Sequence, residues 1–242
     1  MLSIIIPTLN EEKYLPRVLE SIKKQQFSDF EIIVADAGSA DRTVEIAKSN
    51  GCKVVPGGLP GAGRNKGAKA AMGDLLLFLD ADTISFPPNF FRFLLEEFTE
   101  KKLDAASCPI CAQGNKLDEL IYKGYDFWIR LTQKFSPYST NVVMVKKEAF
   151  QKVGGFDETV KIAEDVDLIR RISKIGKTGF LRTSSVLISV RRFKKDGRFK
   201  TIFKCSLVGI YINLFGPVRS DIFKYRFNHY EEINDKSSRN EN

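Results

Sequence analysis

The sequence predicts an α/β protein built on a mostly parallel sheet flanked by helices. Three observations predict it. Apolar runs of strand length alternate with helix-spaced segments through about the first 80 residues. Those runs are continuously apolar rather than alternating, as strands covered on both faces are. The chain's 242 residues, 43% hydrophobic and 28% charged, are ample for one buried core and exclude a disordered chain or an ordinary polytopic membrane protein.

The elements follow in order. Leu2 to Pro7 is a β-branched run closed by proline, a buried strand. Asn10 stands as an N-cap before Glu11 and Glu12, and Leu15, Val18, Leu19 and Ile22 have helical spacing. Phe30 to Ala35 is a second strand, Ala40 to Asn50 a helix stopped by Gly51, and Cys52 to Val55 a short third strand. A Gly/Pro-rich stretch, Pro56 to Gly63, leads into a small-residue helix ending near Met72. Asp74 to Leu79 is a fourth strand, ending on Asp80-Ala81-Asp82, and Phe86 to Phe98 contains a helix opened by Pro87-Pro88. Further on, Leu103 to Ile110 and Asn141 to Val145 read as strands around an aromatic-rich helix, Lys116 to Phe135. Ala163 to Ile175 reads as a helix, Gly179 to Val190 as one or two strands, and Phe199 to Phe215 as an apolar helix with basic flanks. These segments divide into residues 1–195, a catalytic body; 196–230, a basic, apolar helical segment; and 231–242, a flexible tail.

Composition narrows the chemistry. The single histidine, His229, lies near the polar end, so histidine triads and His-rich metal sites are poor fits. Cys108-Pro-Ile-Cys111 has metal or redox spacing but no second pair follows, so the four cysteines read as ordinary buried thiols. The N-terminus opens on a strand with no signal-peptide pattern, and a cytoplasmic location is expected. Chemistry therefore falls to carboxylates. Ligands of such sheets gather at the strands' carboxyl ends, where Asp36, Asp80 and Asp82 face one crevice.

Asp80 and Asp82 suit a divalent cation shared with phosphate oxygens, although an Asp-x-Asp after a strand is also a common solvated turn. Glu164-Asp165-Val166-Asp167 opens a later helix, where helix capping is the plainer reading. The stretch from Gly57 to Gly67 fits neither a dinucleotide fingerprint nor a Walker loop, yet a glycine-lined helix start with Arg64 suits phosphate or a phosphate-bound metal.

Five ordered motifs over roughly residues 2 to 195 resemble the family 2 glycosyltransferases. They are Ser3-Ile-Ile-Ile-Pro7-Thr8-Leu9-Asn10-Glu11-Glu12; Val34-Ala35-Asp36-Ala37-Gly38-Ser39-Ala40-Asp41-Arg42-Thr43; Gly61-Ala-Gly63-Arg64-Asn65-x-Gly67; Asp80-Ala81-Asp82; and Gly154-Gly155-Phe156-Asp157-Glu158 ahead of Glu164-Asp165. The resemblance implies a GT-A-type, Rossmann-like fold and inverting transfer from a nucleotide-sugar donor, a UDP-, GDP- or dTDP-sugar. It implies that Pro7, Thr8 and Glu11 line the nucleotide pocket, that Asp36 meets the base, and that Arg64 lies beside base and diphosphate. Asp80 would support ribose or metal, Asp82 would bind Mn²⁺ or Mg²⁺, and Asp165 would be the general base with Glu164 nearby. Processive members carry a Gln/Arg-x-x-Arg-Trp block. Here Ser189-Val190-Arg191-Arg192-Phe193 offers only Arg192-Phe193, which implies single addition, with Arg191 and Arg192 closing over the diphosphate.

The net charge of +8 is segregated: residues 191 to 226 alone carry +8. The uncharged run Cys205 to Val218 is too short to span a bilayer, leaving packing on the body, an anionic membrane interface, or a homodimer contact. The basic flanks favour the interface, and with it a lipid-linked acceptor. Nucleic-acid binding is not expected, because the basic residues flank an apolar helix rather than interleave with stacking aromatics. Two rival functions stand: a sugar-phosphate nucleotidyltransferase, whose Gly-rich signature is absent after the first strand, and a non-catalytic membrane-peripheral binding protein of the same fold.

Overall fold

The computed structural model describes residues 1–133, 135–182 and 185–223, without the side chain of Arg192. The C-terminal tail and His229 lie outside the described residues. In chain order the first half forms β1 (Leu2–Thr8), α1 (Leu15–Lys23), β2 (Phe30–Asp36), α2 (Thr43–Ser49), β3 (Lys53–Pro56), α3 (Pro60–Ala70), β4 (Leu75–Leu79), β5 (Thr83–Ser85) and α4 (Phe90–Glu100). The rest forms β6 (Ala105–Ser107), β7 (Ile110–Gln113), α5 (Lys116–Thr132), β8 (Val142–Lys146), α6 (Lys147–Lys152), α7 (Glu164–Ser173), β9 (Thr178–Phe180), β10 (Val186–Ser189), α8 (Arg191–Asp196) and α9 (Arg198–Phe215).

Seven strands form the main sheet in the order β3-β2-β1-β4-β8-β6-β9. The β3-β2-β1-β4 half is parallel, β8 runs antiparallel to both β4 and β6, and β6 and β9 are parallel. A second, three-stranded sheet, β5-β10-β7, stands beside it. The expected mostly parallel sheet flanked by helices is therefore present.

Strand pleating divides the core in two. Ile4 and Ile6 of β1 point to one face and join Leu15, Val18, Leu19 and Ile22 of α1 and Phe90, Phe91 and Leu94 of α4. Ile5, between them, points to the other face and joins Ile33, Phe78, Phe156, Leu168, Ile169 and Ile172. A strand covered on both faces needs no polar alternation, which is why β1 reads as a continuous apolar run. Helix α3 lies tight on this second face: a Cβ on Gly67 would come 2.5 Å from Cγ2 of Ile5.

Several local expectations are corrected. Asn10 does not cap a helix; its φ is +54° and α1 begins at Leu15, with Pro16 in its first turn. Tertiary hydrogen bonds explain the delay, since the Asn10 side chain accepts from the Ala40 amide and its own amide donates to Ser39 Oγ. The expected strand Leu103 to Ile110 splits into β6 and β7, which join different sheets on either side of Cys108-Pro109. Elements β5, α6 and α8 were not foreseen, and α4 starts at Phe90, after the two prolines rather than on them. All four cysteines are free thiols, but only Cys52 and Cys108 are buried; Cys111 and Cys205 are exposed. Among the described residues, no helix is long and apolar enough to cross a membrane.

Candidate active site

The parallel strands β1, β2 and β4 deliver Thr8, Asp36 and Asp80 to one end of the sheet. Thr8 and Asp36 stand opposite each other in register, and Thr8 Oγ1 donates to Asp36 Oδ1 at 2.9 Å. Asp36 also accepts from the amides of Gly38 (3.0 Å) and Ser39 (2.8 Å) and from Ser39 Oγ (2.5 Å). Four donors match the roughly four acceptor positions of a carboxylate. Asp36 thus shapes the turn that follows it, and residues 39–43 in turn grip Asn10, Glu11 and Glu12 through Ser39, Thr43 and Asp41. Pro7 of β1 packs against α3, where a Cβ on Gly63 would meet its Cβ at 3.6 Å.

Arg64 occupies the centre of a buried charge cluster. It is only 7% exposed, and α3 aims its guanidinium between the end of β4 and the start of α7. Its Nη2 donates to Asp80 Oδ1 at 2.6 Å, its Nη1 donates to Glu164 Oε1, and the Phe156 ring lies beneath it at 5.5 Å. Burial by itself lowers an arginine pKa, but Asp80, Glu164 and Asp165 together raise this one above its ordinary value. Next along α7, Asp165 accepts from Ser139 Oγ at 2.7 Å. Burial and the neighbouring Glu164 charge raise the Asp165 carboxyl to about 6, against the opposing pull of Ser139 and Arg64. Glu164, Asp165 and Asp167 share the first turn of α7, where the helix dipole favours negative charge. Asp167 turns instead to Arg171 at 2.7 Å, a pair along the helix.

A second cluster gathers around Arg191. The Ser189 amide, at the end of β10, donates to the Asp82 carbonyl at 3.2 Å, which carries Arg191 to the same place. Arg191 binds Glu11 through both terminal nitrogens, at 3.0 and 2.9 Å, and its Nε lies 3.6 Å from Asp82 Oδ2. Its guanidinium stacks over the Tyr14 ring at 4.7 Å. Burial works against this charge, yet Glu11 and Asp82 hold its pKa above the usual arginine range. The expected role of Arg192 falls on a side chain outside the described residues.

The donor chemistry fits a cation that brings further ligands with it. Asp80 and Asp82 offer hard carboxylate oxygens, as Mg²⁺ and Mn²⁺ prefer. Among the described residues, no group of three or more His, Cys, Asp or Glu side chains is placed to hold a metal alone. Two carboxylates completed by diphosphate oxygens and water satisfy that chemistry.

The structure thus brings expected residues into two charge clusters, Arg64-Asp80-Glu164-Asp165 and Glu11-Asp82-Arg191, with Thr8 and Asp36 in a hydrogen-bonded group of their own. Arg64 faces carboxylates rather than open crevice. Sequence reasoning missed Ser139, Ser39 and Tyr14, which touch Asp165, Asp36 and Arg191. Ser39 sat inside a quoted motif; nothing local marks Ser139 or Tyr14, which arrive by tertiary packing.

Comparison with known proteins identifies the family. The profile of Glycosyl transferase family 2 matches residues 3–154, and that of Glycosyltransferase like family 2 matches residues 109–206. An uncharacterized glycosyltransferase of Haemophilus influenzae is 29% identical over 190 residues, covering 71% of this chain and 62% of its own length. The chain spans 60% of a similar relative from Rickettsia typhi, so it corresponds to somewhat under two thirds of these curated relatives. In fold, it resembles Staphylococcus aureus TarS 1–349 in complex with UDP-GlcNAc (TM-score 0.64, 20% identity, 89% of this chain and 67% of that one). It also resembles the mannosyltransferase PcManGT of Pyrobaculum calidifontis, in complex with GDP-Man and Mn²⁺ (TM-score 0.65, 18% identity, 86% and 60%). With the sheet, the ordered motifs and the profile match over more than half its length in agreement, the chain belongs to glycosyltransferase family 2.

Proposed function

We propose that the chain is a metal-dependent, inverting glycosyltransferase that moves a single sugar from a nucleoside-diphosphate sugar to an acceptor hydroxyl. The observation that carries this reading is Asp165, a carboxylate raised to about 6, held by Ser139, and linked through Glu164 and Arg64 to Asp80 at the donor end of the sheet. A base of that pKa is ionised at neutral pH yet still basic enough to take a proton. In the proposed step the acceptor oxygen attacks the anomeric carbon, the bond to the diphosphate oxygen breaks, and the hydroxyl proton passes to Asp165.

The remaining roles are those the family resemblance implies. Pro7, Thr8 and Glu11 line the nucleotide side, and Asp36 sets the loop that meets the base. For Asp36 itself to touch the base, Thr8 or Ser39 must release one of its oxygens. Asp80 supports ribose or metal, and Asp82 with Asp80 would hold Mn²⁺ or Mg²⁺, which supplies neutralisation of the leaving diphosphate. Arg191 is a cation already beside Asp82, suited to turn from Glu11 onto the diphosphate. The solved neighbours support the donor class, since one holds UDP-GlcNAc and another GDP-Man with Mn²⁺. The acceptor we assign is lipid-linked or membrane-proximal, because the basic excess is confined to the segment that carries α9.

The test is a panel of UDP-, GDP- and dTDP-sugars with Mn²⁺ or Mg²⁺, read by thermal shift and donor hydrolysis. One donor is expected to bind, and Asp82→Ala to abolish that binding. Asp165→Asn is expected to keep donor binding and lose transfer. Absence of metal-dependent donor binding across the panel would sink the reading.

A further inference from the structure

Helix α9 carries apolar side chains on two opposite faces. Its inner face carries Val208 and Ile212, buried against Ile129, Tyr138 and Val166. Its outer face carries Phe199, Phe203, Leu207, Ile210 and Leu214, whose spacing of three and four makes one stripe along the helix. That stripe is in the open: Phe199 is 85% exposed and Leu214 70%.

Helix α5 repeats the pattern. Leu117, Leu120, Gly124, Phe127 and Leu131 form one stripe, with Phe127 68% exposed, while Asp118 and Ile129 are buried on the other side. The two helices run side by side in one direction. Arg198, opening α9, donates to Asp118 at the start of α5 at 2.5 and 3.0 Å, and Ser136, just past α5, donates to Asn213 near the end of α9 at 2.8 Å. Phe135 and Phe215, both exposed, flank that second bond.

Charge identifies what covers these stripes. Lys116, Lys123 and Arg130 recur every seven residues, a basic row along one flank of the α5 stripe, and Lys200 and Lys204 flank that of α9. The acids of α5 are Asp118 and Asp126, both buried, and Glu119, which is exposed beside the basic row between Lys116 and Lys123; α9 has none. Bulky apolar side chains beside rows of cations match an anionic bilayer, the side chains entering the acyl boundary and the lysines meeting phosphates. The surface also leads to the base. Trp128 stands at its edge, 5.3 Å from the Tyr138 ring, and the next residue, Ser139, holds Asp165.

We propose that the outer faces of α5 and α9 dock on an anionic lipid bilayer, which holds Asp165, behind the Trp128-Tyr138-Ser139 contacts, near an acceptor carried in that bilayer. The second clause rests on the glycosyltransferase reading; the docking does not. The experiment sediments the purified chain with phosphatidylcholine vesicles, with and without about 30% phosphatidylglycerol, at low and high salt. Binding is expected on the anionic vesicles only and weakened by salt. Phe203→Ser with Leu214→Ser is expected to weaken it roughly tenfold or more. Lys116→Gln with Lys123→Gln should also weaken it, and neither pair should change the donor-induced thermal shift. No binding to anionic vesicles, or binding that Phe203→Ser with Leu214→Ser leaves intact, overturns the proposal. So does a dimer that dissolves in that variant while vesicles are ignored, which assigns the face to a second copy. Vesicle binding without any donor-induced shift leaves the surface standing and removes the glycosyltransferase reading.

Discussion

Asp165 ties protonation to both activity and stability. In its proposed role as the base it must be ionised, so transfer is expected to fall below about pH 6, roughly tenfold per unit. The Ser139 hydrogen bond favours the ionised form, so Ser139→Ala moves this acid limb to higher pH by roughly half a unit to one unit, seen in a kcat/KM profile. Stability runs the other way. Folding raises this carboxyl above its unfolded value, so its contribution is complete while protonated and is lost as pH climbs from the ordinary carboxylate range through about 6. Asp165→Asn is therefore expected to unfold at a higher temperature than the parent at pH 8, while losing transfer. Arg64 shows the opposite balance: Arg64→Met strands Glu164 and Asp80 in a buried site. Since Asp80 is about a third exposed, the cost is set near the lower end for a broken buried pair, roughly 3 kcal/mol in urea unfolding. Sequence motifs located these residues but not their orientation, because a motif does not say whether an arginine faces phosphate or carboxylate.

At the scale of elements, the contact of α3 with β1 is the most exacting. Gly67→Ala gains helix propensity of about 1 kcal/mol but drives a methyl into Ile5. Overpacking of about 1–3 kcal/mol wins, and a lower urea midpoint is expected. The elements legible in the sequence are those whose own residues declare them. Leu2 to Thr8, Phe30 to Asp36 and Leu75 to Leu79 are apolar strands buried on both faces, and α1 and α7 have clean apolar stripes. Elements β5 and β9 are three residues each, too short to show a period, and exist through their partners. Helix α8 is six residues long, four of them Lys or Arg, too short to show an apolar period. The antiparallel placement of β8 is likewise set by what it pairs with, so the sequence marked the strand without its direction.

On the scale of the whole molecule, α9 belongs to the body as much as to the surface. Val208 and Ile212 cap Ile129, Tyr138 and Val166, and α7, which carries Asp165, sits beneath them. A chain ended after Gly197 uncovers that cluster and is expected to lose about 3–6 kcal/mol from these two side chains alone, read as a lower urea midpoint. The surroundings of Asp165 should feel the loss too, since Arg170 of α7 donates to the Ile212 carbonyl at 3.2 Å and to Asn213 at 2.7 Å.

The position of β8 in the sheet also sets a timetable. It fills the gap between β4 and β6, yet it is synthesised about 65 residues after β4 ends. At translation rates of roughly 5–20 residues per second, the edge of Leu75 to Leu79 waits about 3–13 s for its partner. During that wait the most apolar strand of the chain is an open template for another copy's backbone. Yield in cells is therefore governed by the pace of synthesis between Asp80 and Lys146 as well as by the stability of the finished sheet.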